Sequence, residues 1–146
     1  MTHSFLLQPA KWSLQGQYTE REQQPLAIEG TISVAWRRQS WFKLETRLVI
    51  PESATEIISQ CKGHLDSSGK LYTYVLQHSI LGSIEGEGYL GVDSIVQHYW
   101  VVGSTQRRLG FDTFYYLSES EYSLTSVILE SHNLRNTVEA KLKQII

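Results

Sequence analysis

Ile28-Glu29-Gly30-Thr31-Ile32-Ser33-Val34-Ala35-Trp36 changes character at every step. Ile28, Gly30, Ile32, Val34 and Trp36 fall on one face of an extended chain, and Glu29, Thr31, Ser33 and Ala35 on the other. Successive strand side chains point to opposite sides, so this stretch is a strand with one dry face and one wet face. More than a hundred residues later Val138, Ala140 and Leu142 alternate in the same way with Glu139, Lys141 and Lys143. Short segments of this kind, separated by turn residues, predict an all-β barrel or sandwich.

Working outward from residue 28 gives ten strands. They are Lys11–Thr19, Ala27–Arg37, Trp41–Ile50, Thr55–Leu65, Lys70–His78, Ile80–Leu90, Ser94–Val102, Arg107–Leu117, Tyr122–Glu130 and Asn136–Ile145. Pro51 ends the third because it has no N–H for a ladder. Asp66-Ser67-Ser68-Gly69 is a turn signal. No connection has the dozen or more residues that a parallel crossover needs, so the pairing is sequential, antiparallel and up-and-down. An open ten-strand sheet would expose two edges, and closure into a barrel removes them. The 146 residues are read as one barrel domain, with residues 4 to 10 expected to form a short helical turn that closes one mouth.

Charge narrows the function classes. Thirteen basic against fifteen acidic residues give a net charge of −2, with no basic footprint for a nucleic acid. The doublets Arg37-Arg38 and Arg107-Arg108 read as solvated strand ends. The lone Cys61 cannot form an intramolecular disulfide and suits a reducing compartment, as a small buried hydrophobe. Phe5-Leu6-Leu7 is too short for a signal-peptide core or a membrane span, so a cytoplasmic location is expected.

The expected inward positions mix bulk with small and polar residues: Gly30, Ser59, Gly63, Gln77, Gly86 and Gln97 interrupt the apolar lining. Two readings stay open, a cavity with a few orienting hydrogen bonds or glycines that mark bends. On the cavity reading Trp12, Tyr18, Trp36, Phe42 and Phe111 wall a small apolar or amphipathic ligand. Gln77 or Gln97 orients its polar end, and leucine at Gly30 or Gly86 should block uptake while the barrel persists. Parity puts Glu85, Glu87 and Asp112 outside, leaving no acid–base pair for catalysis, and no serine sits in a Gly-X-Ser-X-Gly elbow. Gly86-Glu87-Gly88 precedes no helix and does not read as a phosphate cradle.

Strands seven and eight carry Tyr99, Trp100, Phe114, Tyr115 and Tyr116 on both faces, which predicts an exposed aromatic patch and a homodimer through Trp100 and Tyr116. The five histidines have no metal-ligand spacing, so no metal site is expected.

Trp12-Ser13-Leu14-Gln15-Gly16-Gln17-Tyr18, opening the first strand after a short turn, resembles the start of calycin barrels, with Tyr18 at the aromatic position of the lipocalin Gly-X-Trp. The strand count is similar to that of fatty-acid-binding-protein-like members. The resemblance implies a ligand or chromophore in the barrel, with the cofactor unspecified. It also implies two alternatives: a bilin-chromophore lyase, or a haem barrel like nitrobindin with one axial histidine, His98 or His132. A late basic residue over the opening tryptophan would be Arg135.

Overall fold

A computed structural model describes residues 3–103, 105 and 107–145. Its strands are β1 (Ala10–Glu20), β2 (Leu26–Trp36), β3 (Trp41–Ile50), β4 (Thr55–Leu65), β5 (Leu71–His78), β6 (Gly82–Leu90), β7 (Ser94–Val101), β8 (Arg108–Ser118), β9 (Glu121–Glu130) and β10 (Asn133–Ile145). Each pairs antiparallel with its sequence neighbours, and β1 pairs with both β2 and β10, which closes the barrel. Leu14 shows the closure in one residue, opposite Gly30 on one side and Leu142 on the other.

The alternation read from Ile28 is the burial pattern of β2: Ile28, Ile32 and Val34 are buried while Glu29 and Ala35 are exposed. Trp12, Ile95, Tyr122 and Leu142 have no solvent exposure at all. Full burial of a large apolar side chain contributes roughly 1.5–3 kcal/mol, so these positions help fix the register of β1, β7, β9 and β10.

The start of the chain forms turns rather than a helical turn, with Leu6 at φ 73°, and the regular 3-10 turns lie instead at Arg38–Ser40 and Pro51–Ser53. His3, Ser4, Phe5 and Leu6 are all buried. They fill the barrel end that carries the β6–β7 and β8–β9 turns. The ring of Phe5 stacks on Phe114 at 4.8 Å and meets Trp12 edge-on at 5.4 Å. Ser4 Oγ donates to the Glu119 carbonyl, His3 Nε2 donates to the Gly91 carbonyl, and Trp36 Nε1 donates to the Leu6 carbonyl.

Four cross-strand pairs set an aromatic ring against a glycine: Phe42 with Gly63, Tyr74 with Gly86, Tyr72 with Gly88, and Tyr99 with Gly110. A Cβ on any of these glycines would lie 1.9–2.3 Å from a carbon of its partner's ring. The rings occupy the space the glycines vacate, so these glycines seat aromatic residues rather than open a void. At Gly30 the obstacle is backbone, since a Cβ would meet the Arg47 carbonyl oxygen at 2.0 Å. Leucine at Gly30 or Gly86 would therefore disrupt the sheet itself, contrary to the expectation of an intact barrel.

Candidate functional site

Inside the barrel, beneath Phe5 and Leu6, lies a cavity of about 170 Å³. Leu14, Phe42, Leu48, Phe114 and Leu124 supply apolar wall, while Ser59, Cys61, Tyr74, His78, Gln97 and Asp112 bring polar atoms to it. A wider groove of about 740 Å³ lies at the β2–β3 turn, but Arg37, Arg38, Lys43, Lys62 and the exposed Trp41 form much of its wall. Long solvated side chains hold a ligand less well than a preformed apolar wall with a few fixed polar groups. The interior cavity is the better candidate.

Its polar side is built by register. Tyr72, Gly88, Gln97, Asp112 and Ser126 are successive ladder partners from β5 to β9. Tyr72 Oη reaches past Gly88 and donates to Gln97 Oε1 at 2.6 Å. Gln97 Nε2 donates to Asp112 Oδ2 at 2.7 Å, and Ser126 Oγ donates to Asp112 Oδ1 at 2.6 Å. As a whole residue Asp112 keeps some exposure at a groove beside Phe111, but its carboxyl turns inward and is enclosed. Burial holds that carboxyl above the ordinary aspartate range, although the bonds from Ser126 and Gln97 act the other way. Among the described residues Asp112 has no cationic partner; the ion pairs are Arg47–Glu56, Arg108–Glu130 and Arg135–Glu130.

Tyr74 is the second feature. It is 5% exposed, lines the cavity, and its hydroxyl has no hydrogen-bond partner. An unmet buried hydroxyl costs on the order of 1–3 kcal/mol, which a ligand atom can recover. Burial, then the nearby Asp112, raises the Tyr74 hydroxyl far above the ordinary tyrosine value, so it stays protonated. Burial likewise pushes the Cys61 thiol up to about 12, leaving it a neutral wall element rather than a nucleophile.

His78 is the histidine that reaches the cavity. Its Nδ1 accepts the backbone N–H groups of Ile80 and Leu81, both at 3.1 Å. In the neutral ring this leaves the proton on Nε2, which is then a donor and not a free metal-binding lone pair. Desolvation lowers its pKa and favours that neutral form. His98 is exposed on the outer face, its ring 5.9 Å from Trp100 and 6.3 Å from Phe111, and His132 is exposed in the β9–β10 turn. Among the described residues no three metal-ligating side chains gather.

Of the residues read from sequence, Phe42 and Gln97 line the cavity. Trp12 points inward but is enclosed by Phe5 and Tyr122. Trp36 is half-buried on its bond to Leu6. Tyr18, also half-buried, donates to Glu20, and burial with that bond pushes its hydroxyl up to about 12. Gln77 and Phe111 turn outward where parity had them inward: Gln77 bonds Ser83, and Phe111 is 46% exposed. Asp112 turns inward, the reverse of its expected side. Tyr116 also turns inward, against Tyr122, whereas Trp100 faces out. Arg135 pairs with Glu130 beside the β1 end at Glu20, far along the strand from Trp12 and its partner Gln144. Arg135 therefore does not make the contact with Trp12 that the resemblance implied.

Sequence reasoning missed Tyr74, Asp112 and His78. The available signal was the pairing of aromatic with glycine: Gly86 and Gly88 on β6 call for rings on the neighbouring strand, which fixes Tyr72 and Tyr74 as inward.

No family model matches the chain, and no curated protein matches it in sequence. Solved structures do match in shape. Rv2717c from M. tuberculosis superposes with a TM-score of 0.74 at 10% identity, over 94% of this chain and 92% of that one. The S-type phycobiliprotein lyase CPES from Guillardia theta gives 0.66 at 10% identity, over 94% and 88%. The redesigned β-barrel mFAP1 bound to DFHBI gives 0.51 at 15% identity, over 98% and 99%. At these identities the likeness shows the fold alone, a closed ten-strand antiparallel barrel.

Proposed function

We propose that this barrel binds one small amphipathic molecule in the cavity beneath Phe5 and Leu6. The observation that carries the reading is the Tyr74 hydroxyl, buried without a partner at the wall of an otherwise largely apolar cavity. That the similar barrel mFAP1 is bound to DFHBI, and that CPES is a phycobiliprotein lyase, supports small-molecule binding as a use of this shape, and no more. Size favours a ligand of one or two rings. Drug-sized ligands occupy pockets of roughly 300–1,000 Å³, and this cavity is about 170 Å³. A haem or bilin would require the walls to move, which lowers both tetrapyrrole alternatives. A cytoplasmic setting goes with this reading, since the lone Cys61 is used as a buried hydrophobe.

Native mass spectrometry of protein from its own source tests the proposal. A stoichiometric added mass the size of a one- or two-ring compound supports it. A clean apo mass, with no uptake from a small-molecule extract, contradicts it.

A second reading concerns the outer wall and is compatible with the first. On β7 and β8 the outward residues Val96, His98, Trp100, Leu109, Phe111 and Tyr115 form a largely apolar surface, with Trp100 opposite Leu109 and His98 opposite Phe111. An exposed face of this kind suits a second copy of the chain. Trp100 belongs to that proposed homodimer surface, and Tyr116 does not.

A further inference from the structure

Resting on the cavity-binding reading, we infer that the occupant is a cation carried on a small ring, such as an amidinium, ammonium or imidazolium, which takes the Asp112 carboxylate as its counter-ion. Three observations converge on this class. Asp112 lines the cavity with its carboxyl enclosed, yet its partners are two neutral donors, Ser126 and Gln97. A buried carboxylate without a counter-charge is costly, and a cation delivered by a ligand removes that cost. The other titratable groups that line this space are Tyr72, Tyr74, Cys61 and His78, and the buried Tyr99 lies close enough to Asp112 to feel its charge. Burial keeps the phenols and the thiol protonated and the imidazole unprotonated, so none supplies a competing charge.

The second observation is the acceptor set. The orphan Tyr74 oxygen can accept one N–H while Asp112 accepts another, which matches a group bearing several N–H bonds. The third is the wall. Phe42, Tyr72 and Phe114 present aromatic rings, whose negative faces favour a cation and disfavour an anion. Entry of the cation displaces the carboxyl proton where Asp112 is protonated: the neutral acid releases one H⁺ to solvent and the resulting carboxylate pairs with the ligand.

The test uses three probes of one ring size, benzamidine, benzyl alcohol and benzoate, titrated calorimetrically into the wild-type protein and Asp112→Asn. Benzamidine should bind at least about tenfold more tightly than benzyl alcohol, and this ratio should fall to about one in Asp112→Asn. In the wild type, mildly acidic titrations of benzamidine should show enthalpies that vary with the buffer's own ionisation heat, reporting proton release; this arm stands even if the variant fails to fold. Equal binding of benzamidine and benzyl alcohol, or preference for benzoate, overturns the cation inference and leaves the cavity reading in place. Binding of none of the three overturns both.

Discussion

Gln97 and Asp112 are partners in the β7–β8 ladder, and the Gln97 amide donates to Asp112 Oδ2 across it at 2.7 Å. With Tyr72 behind Gln97 and Ser126 on the other carboxyl oxygen, the group forms a connected polar belt inside an otherwise apolar wall. Networks of this sort are costly when half-satisfied and specify a unique core when complete. In this barrel each bond joins register partners or spans a glycine, so the belt also checks that the strands are correctly aligned.

The buried carboxyl makes a pH prediction. Its pKa is raised on folding, so between the unfolded aspartate value and the folded one the native state holds the extra proton. Its contribution to stability is complete below the unfolded value and is lost as pH rises toward the folded one. Asp112→Asn cannot ionise. Thermal unfolding measured across the acid-to-neutral range should show the variant gaining on the wild type as pH rises; a constant gap would remove the buried-carboxyl account.

Gly110 and Tyr99 share one space, a Cβ on the glycine falling 1.9 Å from Tyr99 Cζ. Gly110→Ala should cost roughly 1–3 kcal/mol by overpacking. The same change in a Tyr99→Leu background should cost much less, giving a coupling energy in a double-mutant cycle of denaturant midpoints. Additive costs would mean that the ring does not rest on the glycine.

The fold was legible because most strands follow one rule, apolar inside and polar outside, and β3 and β4 fall at the very boundaries read from sequence. The site was less legible because that rule reverses on β8. There the outward face carries Leu109, Phe111 and Tyr115, and the inward face carries Gly110 and Asp112. An apolar outer wall and a buried acid each invert the parity signal, so Phe111 and Asp112 exchanged sides. On β5 both faces hold bulky apolar residues, Leu71 and Val75 outside and Tyr72 and Tyr74 inside, and Gln77 followed the wrong set. Local departures from the hydrophobic pattern are where function and interfaces concentrate.

His78 holds the β5–β6 turn through two backbone N–H bonds to Nδ1. Removing that acceptor in His78→Ala should cost about 1–3 kcal/mol, and His78→Asn should recover part of it. Because the folded pKa lies below the usual histidine value, the contribution is full above about 6.5 and is lost as pH falls through the lowered value. Denaturation midpoints of the wild type and His78→Ala should therefore converge in acid; parallel curves would count against the assigned tautomer.

The outer face is tested at Phe111, 46% exposed beside His98. Phe111→Asp should leave the far-ultraviolet spectrum intact and convert a dimer to a monomer in sedimentation velocity. A wild-type protein that sediments as a monomer at high concentration would remove the homodimer reading.

The most direct test of the central claim fills the cavity. Ser59 is buried on its wall, opposite Thr46 on β3 and His78 on β5. Titrating benzyl alcohol and benzamidine into the wild type and Ser59→Leu, with methyl NMR spectra recorded throughout, reads occupancy and fold together. Shifts are expected at the Leu48 and Leu124 methyls in the wild type and none in Ser59→Leu, with its barrel spectrum preserved. Equal uptake by a folded Ser59→Leu would show that the ligand binds elsewhere and would contradict the account.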